Sequence, residues 1–399
     1  MPRFAVRVVL PTPPLPEQIR IVRGEWTVKK FKQAFQGRLI ALFKTTTVPG
    51  FPVQAWCSNW NGCLMNSGIS SMGHQQTLLV MPNDGVEAVL NFIAQARHEL
   101  RLKQFKLESE AVEVALQQAQ ARGVLVRVML NPHTSGGDRW NDAAFERLKA
   151  SGIDVAWTSE CFPVTHEKSI VVDNTAALIS TFNLSDKYFA ETRDYGVITY
   201  AQVAIDQVVA GFEADWQRSF FSPDLSIGLV WSSFHSRGQM ARVIDAANER
   251  IWVQHPKYVD SVILERLIAA RNRGVKVRIL CGGKHGISDW DIYDTFSSLR
   301  IMESAGVKVR RQKHLKLHAK MIIVDAKCAL IGSMNIDRSA FDIRRELGIE
   351  TDAPEVIARC VEFFNFDWQQ ASKYSAPDPL DPASHEQGEL APDPNFIHD

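Results

Sequence analysis

The sequence has little of several features that would each indicate a particular class of protein. It has no uninterrupted apolar run of the roughly 18 residues that a membrane-spanning helix needs. Its six cysteines include no CxxC pair and no zinc-ligand spacing. Lysine plus arginine and aspartate plus glutamate both number 45 among 399 residues, so the formal net charge is zero. We therefore expect no spanning helix, no metal, no cofactor and no chain-wide nucleic-acid footprint.

The cysteines and the first residues bear on the compartment. Cys328 lies in an apolar, strand-like run and Cys281 follows another, which indicates buried thiols of a reducing compartment rather than disulfides. The N-terminal apolar stretch is broken by arginine and prolines and makes a poor secretory signal. These features predict a cytoplasmic protein, either free or bound peripherally to a membrane.

The two ends of the chain differ from its middle. Residues 1–73 are interrupted by prolines and lack steady periodicity, which predicts an irregular, poorly ordered leader. Residues 373–399 are rich in proline and acidic residues, which predicts a disordered tail. The length between them is enough for two domains of ordinary size.

The middle of the chain repeats itself. An amphipathic helix closed by Arg-Gly and followed by a β-branched strand occurs at Gly123 and again at Gly274, 151 residues later (274 − 123). Strands that alternate with helices indicate the α/β class. We predict two α/β lobes of α-β-α sandwich type, related by a pseudo-twofold axis, over residues 74–222 and 223–372.

A polar motif occurs once in each half, and every residue of the second copy lies 152 positions after its counterpart (318 − 166, for example). A single H-x-K-x4-D match arises by chance in roughly a few per cent of chains of this size, but two in register are specific. Common ancestry alone accounts for shared packing residues, not for polar residues kept at one offset. The first copy holds His166, Lys168, Asp173, Thr181 and Asn183, and the second holds His318, Lys320, Asp325, Ser333 and Asn335.

The spacing of the motif predicts a compact polar cluster. Histidine and lysine at i and i+2 of an extended strand share a face, and a tight turn after the aspartate returns the hydroxyl and the amide to the same end. Two such clusters around one pocket suit a phosphodiester, because lysines and asparagines can bind its oxygens. One histidine can then attack phosphorus while the other protonates the leaving oxygen.

Two carboxylates outside the motif are candidates for orienting the histidines. A histidine nucleophile needs a partner on its second ring nitrogen. Asp194 and Glu346 each lie 28 residues after the histidine of their own repeat (194 − 166 and 346 − 318), so we expect Asp194 at His166 and Glu346 at His318. The motif aspartates, Asp173 and Asp325, fall at the far end of the strand, which predicts a structural role.

These motifs resemble the HxKxxxxD signatures of the phospholipase D superfamily of phosphodiesterases and phosphatidyltransferases. The second copy, LHAKMIIVDAKCALIGSMNIDRSAFDIRRELGI, is similar to the GSxNxDxRS form of cardiolipin synthase-like members. The resemblance covers about residues 78–370. It implies two lobes around one active site, a covalent phosphohistidine and no essential metal. It also implies that His166 is the nucleophile, that His318 is the general acid, that Lys168 and Lys320 are catalytic, and that Thr181, Asn183, Ser333 and Asn335 bind phosphate.

The first copy departs from the family pattern at Ser180-Thr181, where Gly-Ser is usual. It also differs from the HRK…GGxN form common in cardiolipin synthases, which counts against that activity. Neither departure removes a required functional group, so we expect an active enzyme.

Three functions use this set of residues. Hydrolysis of phospholipid phosphodiesters is the leading prediction, phosphatidyl transfer of the cardiolipin synthase kind is its nearest rival, and a metal-independent nuclease is the third. Zero net charge counts against the nuclease. The segment from Lys308 to Lys316, KVRRQKHLK, is basic. It could attract anionic lipid headgroups or nucleic acid. A solvated strand and turn is the plainer interpretation.

Overall fold

The computed structural model describes residues 76–233, 235–284, 287, 291–378 and 380–381. The predicted leader and most of the predicted tail lie outside the described residues. No helix in these described ranges is long and apolar enough to cross a membrane.

The first half of the chain forms a mixed sheet with helices on both faces. Its strands are β1 (Gln76–Met81), β2 (Glu99–Gln104), β3 (Leu125–Leu130), β4 (Asp154–Trp157), β5 (Ser169–Val172), β6 (Ala176–Ser180) and β7 (Thr192–Thr199). Its helices are α1 (Gly85–Ala94), α2 (Glu110–Ala121), α3 (Asp142–Ala150), α4 (Asp186–Ala190) and α5 (Gln202–Trp216). The strand order is β1-β7-β6-β5-β2-β3-β4, with β2, β3 and β4 parallel and the remaining pairs antiparallel.

The second half repeats this plan. Its strands are β8 (Leu229–Trp231), β9 (Arg250–Gln254), β10 (Lys276–Cys281), β11 (Lys308–Arg311), β12 (Lys316–Leu317), β13 (Met321–Val324), β14 (Cys328–Gly332), β15 (Leu347–Thr351) and β16 (Ser372–Lys373). Its helices are α6 (Ser236–Asp245), α7 (Ser261–Asn272), α8 (Ile292–Ser304), α9 (Arg338–Asp342) and α10 (Pro354–Gln370). The strand order is β16-β11-β10-β9-β13-β14-β15-β8, whereas β12 pairs with β7 of the first sheet.

The apolar residues form three layers around the two sheets. One cluster joins the first sheet to α1, α2 and α3, and another joins the second sheet to α6, α7 and α8. The third lies between the sheets and contains residues of α5, α10 and strands of both halves. The prediction of two α/β lobes is therefore confirmed, and the lobes share a core that holds them face to face.

The helix ends and central strands follow from the local sequence. Gly123 and Gly274 end α2 and α7 with φ of +88° and +95°, a conformation that favours glycine at a helix C-terminus. Strands β5, β6 and β13 are buried at every position, so they read as continuous apolar runs instead of alternating ones.

The predicted boundary at residue 372 is too early. Strand β16 pairs with β11, so Lys373 belongs to the second sheet. Beyond it, Tyr374 and Ala376 are buried in the outer core of the second lobe. The proline-rich composition suggested disorder, but an aromatic side chain with apolar neighbours is enough to hold these few residues.

A tight turn closes the hairpin in each motif. Asp173 and Asn174 have φ of 51° and 53°, and Asp325 and Ala326 have 53° and 54°. Two consecutive residues in the left-handed region are typical of a type I′ turn, for which asparagine and glycine are preferred. Aspartate and asparagine tolerate this conformation because their side chains can hydrogen-bond locally. Ala326 is the one residue of the four that lacks such a side chain.

We expect Ala326→Gly to raise the free energy of unfolding by about 1 kcal/mol, because the left-handed conformation costs an alanine roughly that much. Urea unfolding measures the change. Ala269→Gly, within α7, is the matched control and should lower stability by a similar amount. Equal destabilisation by both substitutions would contradict the strain at residue 326.

Candidate active site

Each H-x-K segment lies where the chain passes from one lobe's sheet to the other's. Thr165 forms a bridge with Arg345 of the second lobe, and the His166 backbone N–H donates to the Arg345 carbonyl at 2.8 Å. In the second copy, β12 pairs with β7, and the Ala319 N–H donates to the Arg193 carbonyl at 2.9 Å. The histidines and lysines were expected within the motif strands; they lie just before β5 and β13 instead.

The histidine–carboxylate pairs cross between the lobes. His166 Nδ1 lies 2.9 Å from Glu346 Oε2, and His318 Nδ1 lies 2.8 Å from Asp194 Oδ1. The expected pairing within each repeat is therefore wrong. Because each H-x-K segment hydrogen-bonds to the opposite lobe's β7 or β15 end, its histidine faces the carboxylate of that lobe. Equal sequence spacing could not distinguish the two arrangements.

The geometry assigns the tautomer of His166. Its Nδ1 also lies 3.1 Å from the Ser333 carbonyl oxygen, which can only accept a hydrogen bond. Nδ1 therefore carries the proton, and Nε2 carries the lone pair that a nucleophile needs. The ring of Phe105 packs edge-on against the imidazole with centroids 4.8 Å apart, which fixes its plane.

The two motif lysines are buried beside their histidines. Lys168 Nζ donates to the His166 carbonyl at 2.7 Å, and Lys320 Nζ donates to the His318 carbonyl at the same distance. Lys320 Nζ also lies 2.8 Å from His318 Nε2. Lys320 thus brings a positive charge to a ring nitrogen of its histidine, whereas the printed contact of Lys168 is to the backbone of His166. A phosphate oxygen beside either ammonium group would be stabilised.

The two hydroxyls that were expected to bind phosphate have other partners. Thr181 Oγ1 donates to Asp194 Oδ1 at 2.5 Å, and Ser333 Oγ donates to the Leu347 carbonyl at 3.2 Å. Ser333 also hydrogen-bonds to Glu346, so each hydroxyl contacts one of the two orienting carboxylates. The role of these hydroxyls as phosphate ligands stays a prediction. Asn183 and Asn335 are buried beyond the same strands, and their role as phosphate ligands stays a prediction.

The motif aspartates lie at the opposite ends of their strands. Asp173 accepts hydrogen bonds from the backbone N–H groups of residues 97, 98 and 99, and Asp325 accepts them from those of residues 248, 249 and 250. Burial raises the pKa of each carboxyl, but these N–H donors outweigh it and hold both pKa values below the usual range. They anchor the entry to β2 and β9 and do not reach the histidines.

The two orienting carboxylates have opposite electrostatics. Burial raises the pKa of Asp194, but the charge on His318, Lys320 and hydroxyl hydrogen bonds outweigh it, so the pKa lies below its usual range. Burial raises the pKa of Glu346 to about 8, although Lys168 and Arg344 oppose that rise. An anionic Asp194 would stabilise positive charge that develops on His318, whereas a neutral Glu346 places no negative charge beside His166.

The raised pKa of Glu346 makes the stability of the protein depend on pH. Because the pKa of Glu346 rises from 4.5 to about 8 on folding, the folded state binds more protons between those pH values. The free energy of unfolding should then fall as pH increases through this window, by at most about 1.4 kcal/mol per pH unit from this group. Glu346→Gln should remove this contribution, which denaturant unfolding at several pH values measures. Parallel pH profiles for the two proteins would contradict the raised pKa.

Two arginine–aspartate pairs clamp the lobes together and were not foreseen. Arg345 Nε lies 3.0 Å from Asp215 Oδ2, and Arg193 Nε lies 2.7 Å from Asp367 Oδ2. All four residues are buried, and each pair joins one lobe to the other. Both members obey the 152-residue offset of the motif (345 − 193 and 367 − 215), so that offset was a signal for them.

We expect Asp367→Asn to lower the free energy of unfolding by about 3–5 kcal/mol, because it leaves the buried guanidinium of Arg193 without its counter-charge. Asp367 also accepts hydrogen bonds from Gln254 and His314. The matched control is Glu191→Gln, which removes an exposed ion pair between the lobes, Lys316–Glu191 at 2.8 Å. Its cost should be below about 1 kcal/mol. Equal decreases in the free energy of unfolding for Asp367→Asn and Glu191→Gln, measured with urea, would contradict the stabilising role of the buried pair.

No group of three or more histidine, cysteine, aspartate or glutamate side chains is arranged to hold a metal in the part of the chain that the structure describes.

A family model described as the PLD-like domain of cardiolipin synthase matches residues 89–216 and again 240–368, which together are more than half of the chain. The chain belongs to the phospholipase D superfamily. Each match contains one H-x-K motif, so the resemblance seen in the motifs extends over both lobes of this phospholipase D-like enzyme.

Curated relatives of this phospholipase D-like chain are cardiolipin synthases at low identity. Cardiolipin synthase 2 of Bacillus cereus is 22% identical over 327 residues, which is 72% of this chain and 63% of the relative. Cardiolipin synthase A of Pseudomonas aeruginosa is 27% identical over 319 residues, 69% of this chain and 63% of the relative. The chain thus spans under two thirds of these relatives' length. Sequence alone ranked hydrolysis above transfer, and these relatives favour the reverse order.

Solved structures support the same fold. Phosphatidylserine synthase of Haemophilus influenzae superposes with a TM-score of 0.62 at 14% identity, covering 79% of this chain and 93% of the other. Polyphosphate kinase of Porphyromonas gingivalis gives 0.61 at 16% identity, covering 76% and 49%. At such identities the likeness concerns the arrangement of the two lobes and not the substrate.

Proposed function

We propose that the protein is a phosphatidyltransferase of the cardiolipin synthase kind, which moves a phosphatidyl group from one phospholipid to a hydroxyl group through a phosphohistidine. The observation that supports the chemistry is the crossed pair of contacts, in which each motif histidine faces a carboxylate of the other lobe. The choice of transfer over hydrolysis is supported by the relatives, which are named as cardiolipin synthases.

The two histidines take complementary roles in this proposal. Neutral His166, with its proton on Nδ1, attacks phosphorus through Nε2 and forms the N–P bond as the P–O bond to the leaving alcohol breaks. His318 acts as the general acid beside anionic Asp194 and gives a proton to that leaving oxygen. The incoming hydroxyl then transfers its proton to His318 and attacks phosphorus, which releases His166. Lys168 and Lys320 offset the negative charge on the non-bridging oxygens.

Hydrolysis is the second candidate, because water can attack the same intermediate. Burial of the site favours transfer: the exposed fraction is 0% for His166 and 4% for His318. A site that admits little water lengthens the life of a phosphohistidine until an alcohol arrives.

The test is an assay on mixed phospholipid micelles with ethanol and EDTA, with His166→Ala as the control. We expect phosphatidylethanol to exceed phosphatidic acid, and neither product in the control. Phosphatidic acid alone would replace transfer by hydrolysis. No lipid product, together with cleavage of single- or double-stranded DNA, would support the nuclease. Full loss of activity in EDTA, restored by a divalent cation, would refute the metal-free chemistry.

A further inference from the structure

A cavity of about 410 Å³ lies on the second lobe at the outer part of its sheet, between β10, β11, β16 and the end of α10. We call it the edge cavity. None of the motif histidines, lysines or asparagines lines it. Its residues include part of the basic segment that the sequence singled out and that the proposed chemistry does not use.

The edge cavity concentrates positive charge. Arg278, Lys308, Arg310 and Lys373 line it, and Glu303 is the one carboxylate among its lining residues, so its formal charge is +3 (4 − 1). None of these four cations forms an ion pair with a carboxylate among the described residues. In a chain whose net charge is zero, such a local excess needs a physical reason.

The cations are positioned by the fold. Arg278 lies opposite Lys308 in the β10–β11 register, and Arg310 lies opposite Lys373 in the β11–β16 register, which puts both pairs on neighbouring strands. The guanidinium carbons of Arg278 and Arg310 lie 5.1 and 4.7 Å from the ring centroid of Trp368, which is buried. Arg310 Nη1 also donates to the Trp368 carbonyl at 2.7 Å.

Such an array has the properties of an anion site. Cation–π contact with Trp368 holds the two guanidinium groups in place before a ligand arrives, so less side-chain freedom is lost on binding. Guanidinium groups match the oxygens of phosphate in a bidentate way, and the exposed lysines add charge without a fixed geometry. A cavity of this volume is larger than a phosphate ion and leaves room for an attached polar group.

We propose that the edge cavity binds a phosphate-bearing anion at a site separate from the catalytic histidines. The phosphate belongs either to the headgroup of an anionic phospholipid or to a soluble phosphate compound. In the first case the cavity holds the enzyme on an anionic membrane surface; in the second it senses a phosphorylated metabolite or phosphate itself. This inference does not depend on the proposed catalysis, since it concerns other residues and is measured by binding.

The test compares two triple variants, both in the full-length His166→Ala protein so that no lipid is consumed. The cavity variant carries Lys308→Gln, Arg310→Gln and Lys373→Gln. The control removes the same three charges at exposed positions elsewhere, by Arg97→Gln, Lys149→Gln and Lys327→Gln. One arm measures sedimentation with phosphatidylcholine vesicles, with and without phosphatidylglycerol, at physiological ionic strength. The other measures calorimetric titration with inorganic phosphate and with glycerol phosphate.

If the phosphate belongs to a lipid, phosphatidylglycerol should strengthen vesicle binding. The cavity variant should then bind these vesicles at least tenfold more weakly, because each charge contributes about fivefold. The control variant should bind them as strongly as the parent protein. A soluble source predicts phosphate or glycerol phosphate binding that only the cavity variant loses, with no preference for anionic vesicles. Equal losses in both variants, or no binding in either arm, would overturn the proposal. Thermal unfolding shows whether the cavity variant is folded; if it is not, Lys308→Gln with Lys373→Gln, both exposed, replaces it. The lipid assay on wild-type protein judges the proposed function separately.

Discussion

His166→Ala is expected to lower kcat for phosphodiester cleavage by roughly 10⁴-fold or more, because it removes the atom that forms the bond to phosphorus. His318→Ala should cost about 10²–10⁴-fold with an alkyl leaving group, which needs a proton to depart. With a p-nitrophenyl phosphodiester, whose phenolate leaves unprotonated, His318→Ala should keep a burst of p-nitrophenol while His166→Ala shows none.

Stopped-flow absorbance of p-nitrophenol measures this burst, and its amplitude gives the fraction of enzyme that forms the intermediate. The opposite result, a burst in His166→Ala and none in His318→Ala, would exchange the two roles. Thermal unfolding of both variants serves as the control, since each histidine is buried and its removal can also destabilise the protein.

The second large effect concerns the carboxylates and depends on their crossed pairing. Asp194→Asn should lower kcat by about 10²–10⁴-fold with an alkyl leaving group, because it removes the anion that stabilises the protonated His318. With the p-nitrophenyl substrate, the same variant should keep the burst of the wild-type enzyme. Glu346→Gln should slow the burst itself, because its partner is His166 and an amide cannot ionise to stabilise the positive charge that His166 gains as the N–P bond forms.

Pairing within each repeat would give the reverse pattern: Asp194→Asn would slow the burst and Glu346→Gln would spare it. The pair of variants therefore tests the contact between lobes by kinetics alone. A double-mutant cycle adds an independent measure. His166 should couple to Glu346 in the free energy of unfolding by about 0.5–3 kcal/mol, and His166 should not couple to Asp194.

The sequence predicted the two-lobed α/β fold because the pattern of helices, glycines at helix C-termini and apolar strands occurs twice. It located the polar cluster for the same reason, since the motif residues return at one offset. The turn after each motif aspartate also followed from local residues. These features depend on local patterns and on their repetition along the chain, which a sequence shows directly.

What the sequence could not give was the contact between halves. Asp194 and Glu346 occur at equal spacing from the histidines, and nothing in that spacing says which lobe each faces. The crossing arises because Thr165 and β12 hydrogen-bond to the opposite sheet before the chain enters its own. Thr181 was assigned to substrate from the motif, but its hydroxyl points to Asp194 because β6 and β7 are neighbours. Long-range strand pairing thus decides both cases.

The arginine–aspartate clamps show a signal that was present but not used. Arg193, Arg345, Asp215 and Asp367 share the offset of the catalytic motif, although they lie outside it. A polar residue kept at the same offset in two diverged halves points to a contact that both halves need. Here that contact is a buried ion pair that joins one lobe to the other.

The central claim is that a phosphohistidine forms on His166, and mapping the covalent adduct tests it most directly. His318→Ala enzyme is mixed with a p-nitrophenyl phosphodiester, quenched in alkali, in which phosphohistidine survives, and digested for mass spectrometry. Without His318 to activate the acceptor, we predict that the adduct accumulates on the peptide that contains His166. An adduct on another residue, or a full burst of p-nitrophenol with no adduct, would contradict the account.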